Sequence, residues 1–212
     1  CVLLIVFVVT SVSCVQSKEN AKELPTSGNV NSTIGDQLVE PEAWELAFRE
    51  SKGMHSLHFE FPVGEGGKST PMGYYNAQGF QENNHLGDDW NGTGGGNSDL
   101  GDPVYVVSKG WVRRADDLKG GWGKVVRIVH LMIENGDSSY VESVYAHLDS
   151  IDVEAHTFVD LQQKIGTIGN ADGAYLAHLH LEIRKEAGLP IGGGYSTDTT
   201  LHYNPSSFIK NH

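Results

Sequence analysis

The segment Ala177-His178-Leu179-His180-Leu181-Glu182 sets two imidazoles and a carboxylate at alternate positions. On a strand, alternate side chains share a face, so His178, His180 and Glu182 point one way while Leu179 and Leu181 point into a core. Two such imidazoles stand about 6.6 Å apart, close enough to serve one small site. A lone pair of this kind also arises by chance on the polar face of an antiparallel strand, so a second cluster is needed. His85-Leu86-Gly87-Asp88-Asp89 supplies it: an imidazole and two carboxylates around a glycine, a spacing that a tight loop can converge on one ion. Either Asp88 or Asp89 can be the ligand, and the other is then expected to face solvent. Two His and one Asp form a donor set that binds Zn²⁺ and leaves a fourth position for water. Val144-Tyr145-Ala146-His147-Leu148 adds a third imidazole, with Tyr145 and His147 on one face and Val144, Ala146 and Leu148 on the other. Tyr145 is accordingly a candidate groove residue.

Composition removes several rival chemistries. Both cysteines, Cys1 and Cys14, lie in the first fourteen residues, so the body of the chain has no thiol for disulfides, metal ligation or nucleophilic attack. Fifteen Lys and Arg against 27 Asp and Glu give a formal charge of -12, and the basic residues form no stripe that could neutralise a row of phosphates. Nucleic acid is therefore not an expected partner. Gly67-Lys68-Ser69 has the end of a phosphate-binding loop, but the earlier glycine that loop requires is replaced by Pro62.

The elements that must position these groups are mostly short strands. Residues 1–13 are apolar and then small, which reads as part of a secretory signal: the run is too short for the ~20 residues a membrane span needs. Cleavage before Cys14 would leave a cysteine that a lipid can anchor to a membrane. Residues 14–40 are polar and without period, and read as a flexible linker or tether. From Pro41, the stripe Trp44, Ala47, Phe48 predicts one short amphipathic helix over 41–53, with Gly53 able to cap its end. Six β-like runs follow: LHFEFPV, PVYVVSKGWVRR, KVVRIVHLMI, YVESVYAHL, KIGTIG and LAHLHLEIR. With 26 glycines scattered between them and no strong helix, they predict an antiparallel all-β domain over 54–212.

In order, HLGDD, DPVYVVSKGWV, GWGKVVRIVH, VYAHLDSIDV, KIGTIGNADG and HLHLEIR resemble the lysostaphin/LytM-type zinc metallopeptidases, peptidase family M23, from Gln78 to Arg184. The resemblance implies an all-β fold of mainly antiparallel sheets lining a narrow groove, here with a short N-terminal helix. It implies zinc as cofactor, with His85, Asp89 and His180 as ligands and His147 and His178 as non-ligand catalytic histidines. The implied activity is an exported endopeptidase acting on peptidoglycan peptides in the periplasm, envelope or surroundings of a bacterium. The alternative within the same resemblance is a non-catalytic activator of cell-wall amidases. Two segments depart from the family pattern: Glu154-Ala155-His156-Thr157 replaces a usual Gly-Gln pair, and Leu176-Ala177 replaces a Gly-Pro before HLH. Neither change touches a ligand, so they bear on groove shape and substrate choice. Glu182 fits a residue behind the ligands better than a base. His55, His58, His130, His156, His202 and His212 are read as structural, loop or surface histidines.

Overall fold

A computed structural model of the chain describes residues 42–64 and 71–212, and the expected signal (1–13), the expected tether (14–40) and Gly67-Lys68-Ser69 fall outside them. In chain order the elements are α1 (Ala43–Glu50), β1 (His55–Ser56), β2 (Tyr74–Gln78), a 3-10 turn (Glu82–Asn84), β3 (Asp88–Gly92), β4 (Pro103–Tyr105), β5 (Gly110–Asp117), β6 (Lys124–Glu134), β7 (Asp137–Ile151), β8 (Phe158–Val159), β9 (Lys164–Ile168), β10 (Leu179–Arg184), β11 (His202–Tyr203) and α2 (Pro205–Asn211). The strands form one sheet whose main path is β2-β3-β10-β7-β6-β5-β8, with β11 beside β10 and the β4/β9 pair joined to β7. The ladders are antiparallel except the two-residue β1/β6 pair. The expected all-β fold with a short N-terminal helix is what the chain adopts, and the C-terminal helix α2 is an addition to it.

The long β6/β7 hairpin is set by Asn135-Gly136, both at positive φ, the two-residue turn that matches strand twist. One face of the sheet carries Leu179, Leu181 and Ile183 of β10 with Val126, Ile128 and Val141, and packs against Val104, Ile165 and Ile168 of the β4/β9 pair and Phe208 of α2. The β-like run LHFEFPV buries Phe59, Phe61 and Val63 but leaves Leu57, in the same phase, exposed. It makes no ladder, however. Pro62 has no N–H to give, and the segment is held through single bonds, Glu60 N to Val107 O and Tyr105 N to Pro62 O. Helix α1 starts from a capping box in which Glu42 and Glu45 bond each other's backbone N–H. It buries Trp44 and Phe48 against Trp111 and Val129, and ends at Ser51, with Gly53 two residues further on at positive φ.

His130 shows how this core handles a polar side chain. It is fully buried: Nδ1 donates to Lys109 O (2.8 Å), and Nε2 lies 2.7 Å from the Ser143 hydroxyl, which lies 3.1 Å from the Tyr145 hydroxyl. Both ring nitrogens thus have a hydrogen-bond partner, yet the site is cut off from solvent that would stabilise a charge. Burial therefore pushes the imidazole down to about 4, with the bond to Lys109 O opposing weakly. The unfolded chain takes up this proton near pH 6.5 and the folded chain does not. Stability from this group is intact above pH 6.5 and falls as pH drops towards 4, by about 3 kcal/mol in all. Urea unfolding across this window is expected to show the loss, and His130→Gln should reduce its pH slope by close to one proton.

Candidate active site

Asp89 and His180 are direct partners in the β3/β10 ladder, and His180 is in turn opposite Ala146 of β7. Partners across a ladder share a face, so register alone puts carboxylate beside imidazole, with Asp89 Oδ1 2.9 Å from His180 Nδ1. His85 arrives from the 3-10 turn and is held by a bridge to Tyr195 and by Leu86 N donating to Gly194 O (2.9 Å). Its Nε2 then lies 3.3 Å from Asp89 Oδ1 and 3.0 Å from His180 Nδ1. Three donor atoms thus form a triangle with edges of 2.9, 3.0 and 3.3 Å. Tetrahedral zinc with bonds of 2.0–2.2 Å has ligand-to-ligand edges of about 3.3 Å, so the donor set has the size and chemistry for it. Among the described residues this is the one group of three or more His and acidic side chains so converged.

Gly87 makes the convergence possible. A Cβ there would run into the Leu181 carbonyl oxygen and stand 2.9 Å from the His180 ring. Asp88 departs from expectation: it is buried, not solvent-facing. Its Oδ1 accepts from Phe80 N (3.1 Å), and its Oδ2 accepts from Ser206 N (2.9 Å) and the Ser206 hydroxyl, in the first turn of α2. It pins the site loop to the C-terminal helix.

The structure also brings His147 and His178 to the cluster, and it changes the reading of β7, the strand that carries His147. Lys124 pairs with Leu148 but Val126 with Tyr145, so β7 has an extra residue here, and His147 takes it up at φ +61. This left-handed backbone costs ~1–2 kcal/mol in a non-glycine residue and breaks the simple alternation. Tyr145 and Leu148 consequently face the same core, and the His147 ring turns into the cleft. Tyr145 is therefore no groove residue: it is fully buried, and its hydroxyl accepts from Val107 N (2.9 Å). The His147 ring stands 4.7 Å from that of His178 and 5.6 Å from that of His180. His178 donates Nδ1–H to Leu176 O (2.8 Å), which leaves Nε2 facing the cluster, 3.8 Å from Asp89 Oδ1.

The electrostatics of these side chains follow from burial and pairing. For Asp89 burial works against charge, but hydrogen bonds from His180 and His85 win and hold the carboxyl below the usual range. For His180 burial likewise opposes charge, but bonds to Asp89 and Glu182 lift it to about 9. Burial, with His180 and His178 nearby, pushes His147 down to about 3. Glu182 is wholly buried behind His180, 3.2 Å from its Nε2.

The cleft above these groups holds about 270 Å³, and its other walls include Gln78, Trp122, Tyr175, Gly193, Gly194 and Tyr195. Sequence reasoning passed over the aromatic residues, although Trp122 and Tyr195 each follow glycines, a sign of loops that approach other backbone closely. Of the remaining histidines, His156 is a loop residue stacked on Trp111, 5.1 Å between rings.

Residues 89–203 match the model of Peptidase family M23, and the chain belongs to that family. The match begins at Asp89 and so leaves His85 outside it. Lipoprotein NlpD of Yersinia enterocolitica is 33% identical over 84 residues, covering 40% of this chain and 78% of that protein. Among solved structures, lysostaphin from Staphylococcus simulans matches 66% of this chain at 23% identity with a TM-score of 0.48, and a zinc-containing peptidase from Vibrio cholerae matches 64% at 24% with a TM-score of 0.46. The matches span 50% and 41% of those two chains.

Gly87→Ala is expected to push the His85 turn off β10. Zinc content by elemental analysis should fall well below one per chain, and the unfolding free energy by ~1–3 kcal/mol, the range for forced overpacking.

Proposed function

We propose that the chain is a zinc-dependent endopeptidase that hydrolyses peptide bonds in bacterial peptidoglycan. The observation that carries this reading is the triangle of His85 Nε2, Asp89 Oδ1 and His180 Nδ1 beneath a cleft that two further imidazoles share. Those three atoms would hold the metal. When bound, zinc supplies Lewis-acid polarisation of the scissile carbonyl and brings the pKa of water towards ~7.

The remaining work falls to the chain itself. With its Nδ1–H committed to Leu176 O, His178 offers the Nε2 lone pair that a proton acceptor needs. His147, beside it in the cleft with its ring 4.7 Å away, donates to the carbonyl oxygen as negative charge develops there. Among the described residues the cleft lining has Asp89 and the histidines as its titratable groups beside Tyr175 and Tyr195, and no lysine or arginine, so nothing in it is built to pair with an acidic side chain of the peptide. A net charge of -12 gives no long-range pull towards anionic wall polymers. Local concentration comes instead from export and a lipid tether at Cys14, in line with a relative that is a lipoprotein by name.

Zymography on purified cell walls, with and without a chelator, tests the reading. Clearing that the chelator abolishes and zinc restores is expected, with new peptide termini in the mass spectra of released fragments. Clearing only when an amidase is added, and unchanged in ligand variants, would instead assign the activator role. His147→Ala and His178→Ala should each lower turnover by roughly 10²–10⁴-fold with one zinc retained. His85→Ala, Asp89→Ala and His180→Ala should lose the metal itself.

A further inference from the structure

Behind His180 lies a closed polar chain that the reading above leaves without a role. Glu182 and Arg184 of β10 share the site-bearing face with Arg127 of β6 and Glu142 of β7, and all four are at most 2% exposed. Buried charges persist only when paired and hydrogen-bonded, and these are. Arg127 forms a two-pronged pair with Glu142, and Arg184 Nε donates to Glu182 Oε2 (2.7 Å). The other carboxylate oxygen, Glu182 Oε1, lies 3.2 Å from His180 Nε2, on the side away from Asp89.

The outer prongs of the two arginines reach a single stretch of backbone. Arg127 donates to Leu189 O (2.7 Å), and Arg184 donates to Pro190 O (2.8 Å) and Ile191 O (2.7 Å). This stretch runs directly into the cleft wall. Gly192 O accepts from Trp122 Nε1 (3.0 Å), Gly194 O from Leu86 N, and Gly193, Gly194 and Tyr195 line the cavity.

We propose that Glu182 and Arg184 are positioning residues: Glu182 holds His180 in the tautomer that offers Nδ1 to the metal, and Arg184 ties that carboxylate to the Pro190–Tyr195 wall. The proposal rests on the zinc reading and extends it. Metal-bound imidazoles gain orientation and basicity when the far nitrogen donates to a carboxylate. His180 has such a partner, whereas His85 Nδ1 is buried with none among the described residues. Both Glu182 oxygens are taken and no solvent reaches the residue, so it has no part as a base. Arg184 meets a carboxylate and two carbonyls at once, which the planar five-donor guanidinium allows and a lysine ammonium does not.

The test uses the full chain and zinc alone. Zinc affinity is measured by competition with a chromophoric chelator, the His180 ring by ¹⁵N–¹H correlation, and the wall by exchange of the Trp122 indole N–H. Glu182→Gln is expected to weaken zinc about tenfold, and Glu182→Leu with Arg184→Met, which removes both buried charges together and so keeps the fold, about 100-fold. In both, the His180 ring signals should shift in protein that circular dichroism shows to be folded. Arg184→Lys should change zinc affinity less, yet speed Trp122 indole exchange at least tenfold. A wild-type chain that binds no zinc overturns the peptidase reading, and this proposal with it. A wild-type chain that binds one zinc, beside folded variants that bind it equally tightly with unchanged His180 signals, overturns the proposal alone. Unchanged Trp122 exchange in Arg184→Lys overturns the link to the wall.

Discussion

One rung of the β3/β10 ladder, with Asp89 facing His180, is the constraint on which the site depends. Side chains on a strand repeat every two residues, so a slip by one would turn His180 into the core and Leu179 or Leu181 into the cleft. The fully buried Leu179, Leu181 and Ile183 hold the register from below. Gly87, pressed against the backbone of β10, holds it from the side. Hydrophobic burial on one face of the strand thereby positions the polar chemistry on the other.

The sheet presents two differently built faces. One is an apolar core that holds His130 as a doubly bonded ring and, by burying it, disfavours its charge. The other is a layer of paired charges around Arg127, Glu142, Glu182 and Arg184, capped by backbone carbonyls. Such a layer adds little net stability over an apolar one, because desolvation offsets most of the attraction. Its directional bonds nonetheless fix where the backbone over it must run, which an apolar surface would do less tightly.

Much of this was legible in the sequence, for identifiable reasons. Period-two alternation in Leu179–Arg184 separated His180 and Glu182 from the core leucines, and the glycine in HLGDD marked a tight loop that could converge His85 and an acid. The same rule failed at Tyr145, because one residue in left-handed backbone at His147 resets the phase of β7 and no local signal marks that bulge. Spacing could not separate Asp88 from Asp89: the resemblance preferred Asp89, and what occupies Asp88 is a helix start more than a hundred positions away in sequence. Arg127 and Arg184 were passed over because charged residues are by default solvent-facing, and only the fold reveals the carbonyls that make their burial affordable. The run LHFEFPV shows the converse, a strand-like pattern that makes no ladder because Pro62 and isolated bonds interrupt it.

Asp88 has a practical corollary. Its carboxylate grips the first turn of α2, one peptide bond from the carboxylate that faces the two imidazoles. Fraying of that helix would release a buried anion at the edge of the cluster. Strain applied to α2 is thus transmitted almost without slack to the most sensitive point of the molecule.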